Sequence, residues 1–218
     1  MYVGKEIKTE AIDMANFDVT NAAMIANEHL KTLTDPRQRK IMINFRDHAL
    51  AECLGDHEAL MATCSRKHQR YIIHGSDLDL DHMQPNNYDD LFDYYKALID
   101  LNVYIIHTEL EKLIVGQDAI MLDAVVHQVL SGEQIQDFFG LEGVDRETIY
   151  QAWSRAGIMF IFDEDGMGCG EHSFADGGMS LDRIREIPES LIPPQYFSEP
   201  ETVSEYLTAH PELDWPSE

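Results

Sequence analysis

The chain has 218 residues, of which 44% are hydrophobic, and this is enough for one domain with a sizeable core. Asp and Glu number 40 against 16 Lys and Arg, which gives a formal net charge of −24. Because such a charge is repelled by phosphate backbones and anionic lipid, nucleic acid and membrane surfaces are unsuitable partners. No apolar run is long enough to span a bilayer and no secretion signal opens the sequence, so we expect a cytoplasmic protein.

The three cysteines give no sign of a metal or disulfide framework. Cys53, Cys64 and Cys169 are odd in number and lack the CxxC spacing. A structural zinc site and a disulfide-stabilised fold are therefore not expected, and a reducing compartment fits.

The first third of the chain is predicted to be helical. Residues 1–34 are interpreted as an N-terminal helical extension with one amphipathic helix over residues 21–33. A second helix begins after Asp35, a good N-cap, with Pro36 in its first turn, and it ends at Leu54, with Gly55 suited to the left-handed position that follows. Its apolar residues, Ile41, Met42, Phe45, Ala49 and Cys53, recur at helical spacing and mark the buried face.

The segment after Gly55 mixes short elements. A short helix is predicted over residues 57–64, a strand over 69–74, and a longer helix over 88–101. The acidic segment between the last two contains Asp77, Asp79, Asp81 and His82. Carboxylates can bind divalent cations, but the spacing matches no known loop, so we interpret the segment as a solvated loop and expect no metal.

The rest of the sequence favours β-structure. A long hairpin is predicted from strands 103–115 and 119–130, followed by strands 148–162 and 167–174. Short helices are predicted over residues 133–139 and 181–187. The tail, residues 188–218, contains six of the eight prolines and several apolar anchors. We expect this acidic tail to wrap over the domain or over a neighbouring subunit, without a core of its own.

This order of elements predicts an α+β fold. The Gly55-Asp56 step, RYIIHG (70–75), YDDLFDYYKAL (88–98), the hairpin HTELEKLIVGQDAIMLDAVVH (107–127) and IMFIFDEDGMG (158–168) follow one another as they do in a known superfamily. Across residues 35–174 the chain resembles the NTF2-like superfamily, in particular its SnoaL-like and ketosteroid-isomerase-like branches. The resemblance implies a domain over residues 35–187. It also implies a cone in which a curved mixed sheet is wrapped by N-terminal helices around one apolar pocket, and a homodimer.

Three histidines occupy positions that the resemblance makes functional. His48 precedes Gly55 by seven residues, where the isomerases carry a hydrogen-bonding tyrosine. His74 lies at the end of the first strand, where they carry the catalytic base, and His107 opens the hairpin as a histidine does in SnoaL-like proteins. The second oxyanion donor of the isomerases falls near Ile158, which argues against a plain ketosteroid isomerase.

The returning strand of the hairpin adds two further candidates, Asp123 and His127, which share one face of the strand. They would form an oriented acid–base pair if that face looks inward, and a solvated surface if it looks outward. The pocket wall is predicted to include Phe45, Tyr71, Tyr95, Trp153 and Ile158.

These residues predict a cofactor-independent acid–base enzyme of the dehydratase, isomerase or cyclase type. Histidine, with an ordinary pKa of about 6.5, can take or give a proton near neutral pH. The expected substrate is a hydrophobic oxygenated small molecule such as a steroid, polyketide or terpenoid. The alternative is a non-catalytic NTF2-like domain that binds a ligand or a protein, and the long terminal extensions favour it.

Overall fold

A computed structural model describes residues 2–76 and 80–217 of the chain. Asp77 and Asp79 of the predicted acidic loop lie outside these residues. Asp81 and His82 are exposed on a 3-10 turn, Asp81–Met83. In the two described ranges, no three His, Cys, Asp or Glu side chains are grouped so as to hold a metal ion.

The helical part begins and ends where its capping residues predict. A two-residue strand β1 (Tyr2–Val3) is followed by α1 (Asn21–Leu30), α2 (Pro36–Leu54) and α3 (His57–Ala62). The Asp35 carboxylate accepts a hydrogen bond from the Gln38 backbone N–H at 2.9 Å. Gly55 has φ +74°, and a Cβ there would lie 2.9 Å from the Tyr104 ring, so this turn requires glycine.

The remaining strands form a mixed sheet with β1. They are β2 (Tyr71–Ser76), β3 (Ile106–Val115), β4 (Ala119–Ser131), β5 (Ile149–Phe162), β6 (Gly168–Gly177) and β7 (Ile184–Glu186). The order is β1-β3-β4-β5-β6-β2, with β7 paired to β5. Only β2 and β6 run parallel among the described strand pairs. The sheet is curved and unclosed, which confirms the predicted α+β cone.

The curved sheet has an inner and an outer face. Helices α1 and α2 pack on the inner face, where Phe45 of α2 shares a buried cluster with Leu122 and Ala124 of β4. Helix α4 (Tyr88–Asp100) closes the far side of the same concavity through Tyr95 and Leu98. A space is therefore left between these helices and the sheet. No helix among the described residues is long and apolar enough to cross a membrane.

Two segments differ from the sequence prediction. The predicted helix over residues 181–187 is wrong: a single 3-10 turn, Leu181–Arg183, leads into strand β7. β7 pairs with the start of β5, and this pairing overrides the weak helical pattern. Helix α5 (Gly132–Asp137) is close to its prediction, whereas the tail contains an unpredicted helix, α6 (Val203–Ala209). Thr202 and Glu205 form a capping box at its start.

Candidate functional site

The space between the inner face and the helices is a cavity of about 270 Å³. Four of the five predicted wall residues line it: Phe45 from α2, Tyr71 from β2, Tyr95 from α4 and Ile158 from β5. The prediction for Trp153 is wrong, because its side chain lies on the outer face of β5, between the inner-facing Ala152 and Ser154.

Among the described residues, two glutamates bring carboxyl groups to the wall of this apolar cavity. Glu52 projects from α2 one turn beyond Ala49, and Glu171 projects from β6. The Ser173 hydroxyl donates a hydrogen bond to Glu171 Oε1 at 2.8 Å. For the Glu52 carboxyl, residues 2–76 and 80–217 provide no hydrogen-bond or ion-pair partner. The Glu52 carboxyl can therefore form hydrogen bonds with a ligand in the cavity.

Burial makes both carboxyls easier to protonate. Removal from water raises the pKa of Glu52 to about 8, and the nearby charge of Glu171 adds to this effect. Burial also raises the pKa of Glu171, although the hydrogen bond from Ser173 opposes the rise. No Lys, Arg or His belongs to the described cavity wall, so no cation counteracts these shifts.

His48 lies behind the cavity wall and is connected to it by hydrogen bonds. Its Nε2 is 3.1 Å from the Tyr95 hydroxyl, which is 3.0 Å from the Tyr71 hydroxyl. On its other side, His48 Nδ1 is 2.8 Å from Thr63 Oγ1. Burial lowers the pKa of His48 to about 4, so the ring is neutral. His48 can therefore act on a ligand only through the two tyrosines.

His74 is outside the cavity. Its side chain is exposed and stacks on Phe174, with ring centroids 4.6 Å apart. The sequence interpretation placed His74 at the pocket, but the lining from β2 is Tyr71, Ile72 and Ile73, and His74 lies on the outer face beside Phe174. The position does not suit the role of a base for a ligand in the cavity.

His107, Asp123 and His127 also lie away from the cavity, on the outer face of the hairpin. His127 is fully buried there, with Nε2 3.0 Å from Glu109 Oε2, and burial lowers its pKa although Glu109 opposes the shift. Asp123 forms an ion pair with Arg155 at 2.7 Å. Of the two orientations left open by the sequence, the outward one holds, but His127 is buried on that face instead of solvated.

The N-terminal segment accounts for His107 as well. His107 Nδ1 lies 2.8 Å from the carbonyl oxygen of Asp18, and its ring packs 5.6 Å from that of Phe17. Arg185 donates to the carbonyl of Ile12 at 2.8 Å. These contacts attach the N-terminal segment to the sheet, and they indicate a structural role for His107.

The sequence contained a signal for the two glutamates that we missed. Glu52 is seven residues after Phe45, so it falls on the face of α2 that the apolar pattern marks as buried. Glu171, Ser173 and Ala175 occupy every second position of β6 and share its inner face. A charged residue on a buried stripe is rare enough to indicate a site.

Comparison with protein-family models gives no match for this chain, and comparison with curated proteins gives none either. Solved structures do match. A putative SnoaL-like polyketide cyclase from Shewanella putrefaciens has a TM-score of 0.55 at 11% identity, covering 84% of this chain and 97% of that one. A putative SnoaL-like polyketide cyclase from Jannaschia sp. has a TM-score of 0.49 at 12% identity, covering 66% and 90%.

A Δ5-3-ketosteroid isomerase from Mycobacterium sp. has a TM-score of 0.47 at 10% identity, with 68% of this chain and 98% of that chain covered. At such identities the likeness concerns the fold alone. The likeness to the Shewanella protein spans most of both chains and agrees with the sheet and helices described above. This chain therefore has the NTF2-like cone fold, of the kind found in SnoaL-like proteins.

Proposed function

We propose that the protein is a cofactor-independent acid–base enzyme of the dehydratase, isomerase or cyclase type. Glu171 is the base and Glu52 is the acid or hydrogen-bond donor. The observation that carries the proposal is the Glu52 carboxyl, which is buried in an apolar cavity without a partner among the described residues. A carboxyl in such a place is costly to the fold, and perturbed groups of this kind cluster at functional sites.

The two carboxyls differ in their protonation, as a general acid and a general base must. With a pKa of about 8, Glu52 is protonated in about nine of ten molecules at pH 7. The hydrogen bond from Ser173 at 2.8 Å favours the ionised form of Glu171. One group can therefore accept a proton while the other donates to an oxygen, which is what enolisation, dehydration and carbonyl cyclisation require.

The cavity wall supports a hydrophobic substrate. Its aromatic and aliphatic side chains include Phe45, Leu98, Phe139, Ile158 and Phe160. The volume of about 270 Å³ exceeds the roughly 150 Å³ cavity that holds benzene, so a fused two-ring skeleton or its equivalent fits. Among the expected substrates, polyketides and terpenoids built on such a skeleton suit this volume.

The test is deuterium uptake from D₂O into a panel of bicyclic enones, hydroxy ketones and polyketide-like ketones, read by mass spectrometry. We expect wild type to exchange or dehydrate at least one member. Glu171→Gln and Glu52→Gln should each slow that reaction by roughly 10²–10⁴-fold. Glu58→Gln is the matched control, because Glu58 is exposed on α3 and remote from the cavity wall. Equal rates in all four proteins would contradict the proposal.

The second candidate is a non-catalytic binding protein. It is favoured by the mainly apolar wall, to which Met83 and Met179 add adaptable side chains. Tight binding of a panel member without exchange at any pH would support it over the enzyme.

The homodimer and the cytoplasmic location are part of the same proposal. The outer face exposes Ile114, Met121 and Phe174, and Met121 and Phe174 both approach Gly157. Such neighbouring apolar side chains support a contact between subunits. A molar mass from light scattering of twice the chain mass is expected, and a single-chain mass would contradict the dimer.

A further inference from the structure

A chain of hydrogen bonds runs behind the cavity from Tyr71 through Tyr95 and His48 to Thr63, and every group in it donates towards Thr63. Its inner end is the Thr63 hydroxyl, which lies 2.6 Å from the carbonyl oxygen of Leu60. A carbonyl can only accept, so the single hydrogen of the Thr63 hydroxyl is committed to Leu60. Thr63 Oγ1 can then only accept from His48 Nδ1, at 2.8 Å. The proton of the imidazole is therefore on Nδ1.

The direction propagates outward from His48. A neutral imidazole with its proton on Nδ1 presents a lone pair at Nε2, so the Tyr95 hydroxyl donates to it across 3.1 Å. The one hydrogen of Tyr95 is then used, and Tyr95 must accept from the Tyr71 hydroxyl at 3.0 Å. Every hydroxyl hydrogen in the chain points away from the cavity.

Tyr71 is the end of the chain that a ligand can reach. Both tyrosines belong to the cavity wall, but Tyr95 is only 2% exposed, whereas Tyr71 is half-buried. Because the hydrogen of Tyr71 is already donated to Tyr95, its oxygen has only lone pairs to offer. A ligand carbonyl placed there would meet another acceptor.

We propose that the Tyr71 oxygen is a hydrogen-bond acceptor for a hydroxyl group of the ligand, and that Thr63 and His48 are positioning residues that fix this polarity. The inference rests on the proposed function, since it concerns the same cavity, and it specifies the substrate class. Glu52 offers a donor to a carbonyl and Tyr71 an acceptor to a hydroxyl, so the substrate class is an uncharged hydrophobic hydroxy ketone.

The experiment compares two probes with the same skeleton, 1-(2-naphthyl)ethanol and 2-acetylnaphthalene. Both oxygens can accept a hydrogen bond from Glu52, but only the alcohol can also donate one to Tyr71, so the ratio of the two affinities reports the contact with Tyr71. Calorimetry with wild type should show the alcohol binding roughly tenfold more tightly than the ketone. In Tyr71→Phe, which keeps the ring, the two affinities should become equal. A wild type that prefers the ketone would overturn the proposal, and so would a Tyr71→Phe variant with an unchanged ratio.

The polarity itself is tested at Thr63. In Thr63→Val the Nδ1–H of His48 would have no acceptor, and a buried orphan N–H is costlier than an orphan lone pair. The proton should therefore move to Nε2, every bond in the chain should reverse, and Tyr71 should donate. Both probes can accept a hydrogen bond from a donating Tyr71, so the preference for the alcohol should disappear, whereas Thr63→Ser, which keeps the hydroxyl, should retain the wild-type ratio. An unchanged ratio in Thr63→Val would overturn the proposal.

A second readout does not depend on binding. Nitrogen-15 NMR of the histidine side chains should show the His48 proton on Nδ1 in wild type and on Nε2 in Thr63→Val. A proton on Nε2 in wild type would overturn the polarity even if the valine variant misfolds. Failure of the proposed function is distinguishable: preferential alcohol binding without any exchange in D₂O would leave this inference intact and remove the enzyme.

Discussion

Among single residues, Glu52 makes the stability of the fold depend on pH in a defined direction. Its pKa rises from an ordinary value near 4.5 in the unfolded chain to about 8 in the folded protein. The folded state therefore holds one more proton between these values, and stability is fully present below pH 4.5 and lost as the pH rises through 8. The slope is about 1.4 kcal/mol per pH unit in that window.

We expect Glu52→Gln to remove this slope. The free energy of unfolding of the variant, relative to wild type, should rise by about 1.4 kcal/mol for each pH unit between 5 and 8. Urea unfolding at several pH values measures it, and the difference between the two proteins cancels the titration of the groups that do not interact with Glu52. Glu58→Gln is the control, and parallel curves for wild type and Glu52→Gln would contradict the raised pKa.

The sequence predicted the apolar wall of the cavity better than it predicted the carboxyl groups inside it. Phe45, Tyr71, Tyr95 and Ile158 were placed in the wall because large apolar residues at regular spacing must be buried somewhere. The carboxyls were missed because the buried face of α2 was traced through its apolar residues alone, although Glu52 lies on that face. The ordinary pKa of histidine is already near neutral, so histidines are the first candidates for acid–base catalysis in a sequence. The pKa of a glutamate approaches neutrality only through its environment, which appears in the structure.

For strands, prediction is limited by the difficulty of deciding which alternate residues face inward. Capping residues such as Asp35 and Gly55 fix where a helix starts and ends, so α2 was predictable to the residue. A strand has no equivalent marker of its faces, and one residue of slip exchanges inside for outside. His74, Asp123 and His127 were misjudged or left open for this reason.

The placement of His74 gives a prediction at the level of strand β2. His74→Ala should leave exchange rates within about twofold of wild type, because its exposed ring contacts Phe174 and not the cavity. The same assay applied to Glu171→Gln should show the large loss expected for a group inside. A loss in His74→Ala comparable to that of Glu171→Gln would restore the histidine to the site and refute the strand orientation.

Across the whole molecule, the two terminal segments brace opposite sides of the cone. Residues 7–18 cover the outer face of the sheet, and the tail crosses helices α1 and α2, where Asn27 of α1 donates to the carbonyl of Asp214 at 2.8 Å and Arg46 of α2 packs on Trp215. The sequence left open whether the tail would cover its own domain or a neighbour, because apolar anchors show only that something is covered. In the structure the tail packs on its own chain, through Val203, Tyr206, Leu207 and Trp215.

Trp215 is the anchor by which the tail can be tested. Its ring lies 4.1 Å from the guanidinium carbon of Arg46, and its indole N–H donates to Asp47 at 3.0 Å. Arg46 is 1% exposed, so the indole shields a charge from water. Cation–π contact and a hydrogen bond to a carboxylate together are worth about 2 kcal/mol or more.

We expect Trp215→Ala to lower the free energy of unfolding by about 2–3 kcal/mol, since it removes both contacts and uncovers Arg46. Trp215→Phe keeps a ring over the guanidinium and loses the N–H, so about half that effect is expected. Phe197→Ala is the matched aromatic control in the same tail, because Phe197 is 69% exposed and should cost under about 0.5 kcal/mol. Urea denaturation measures all three. Equal, small effects would mean that the tail is not held by Trp215, and the cone would then have to be stable without its brace over α2.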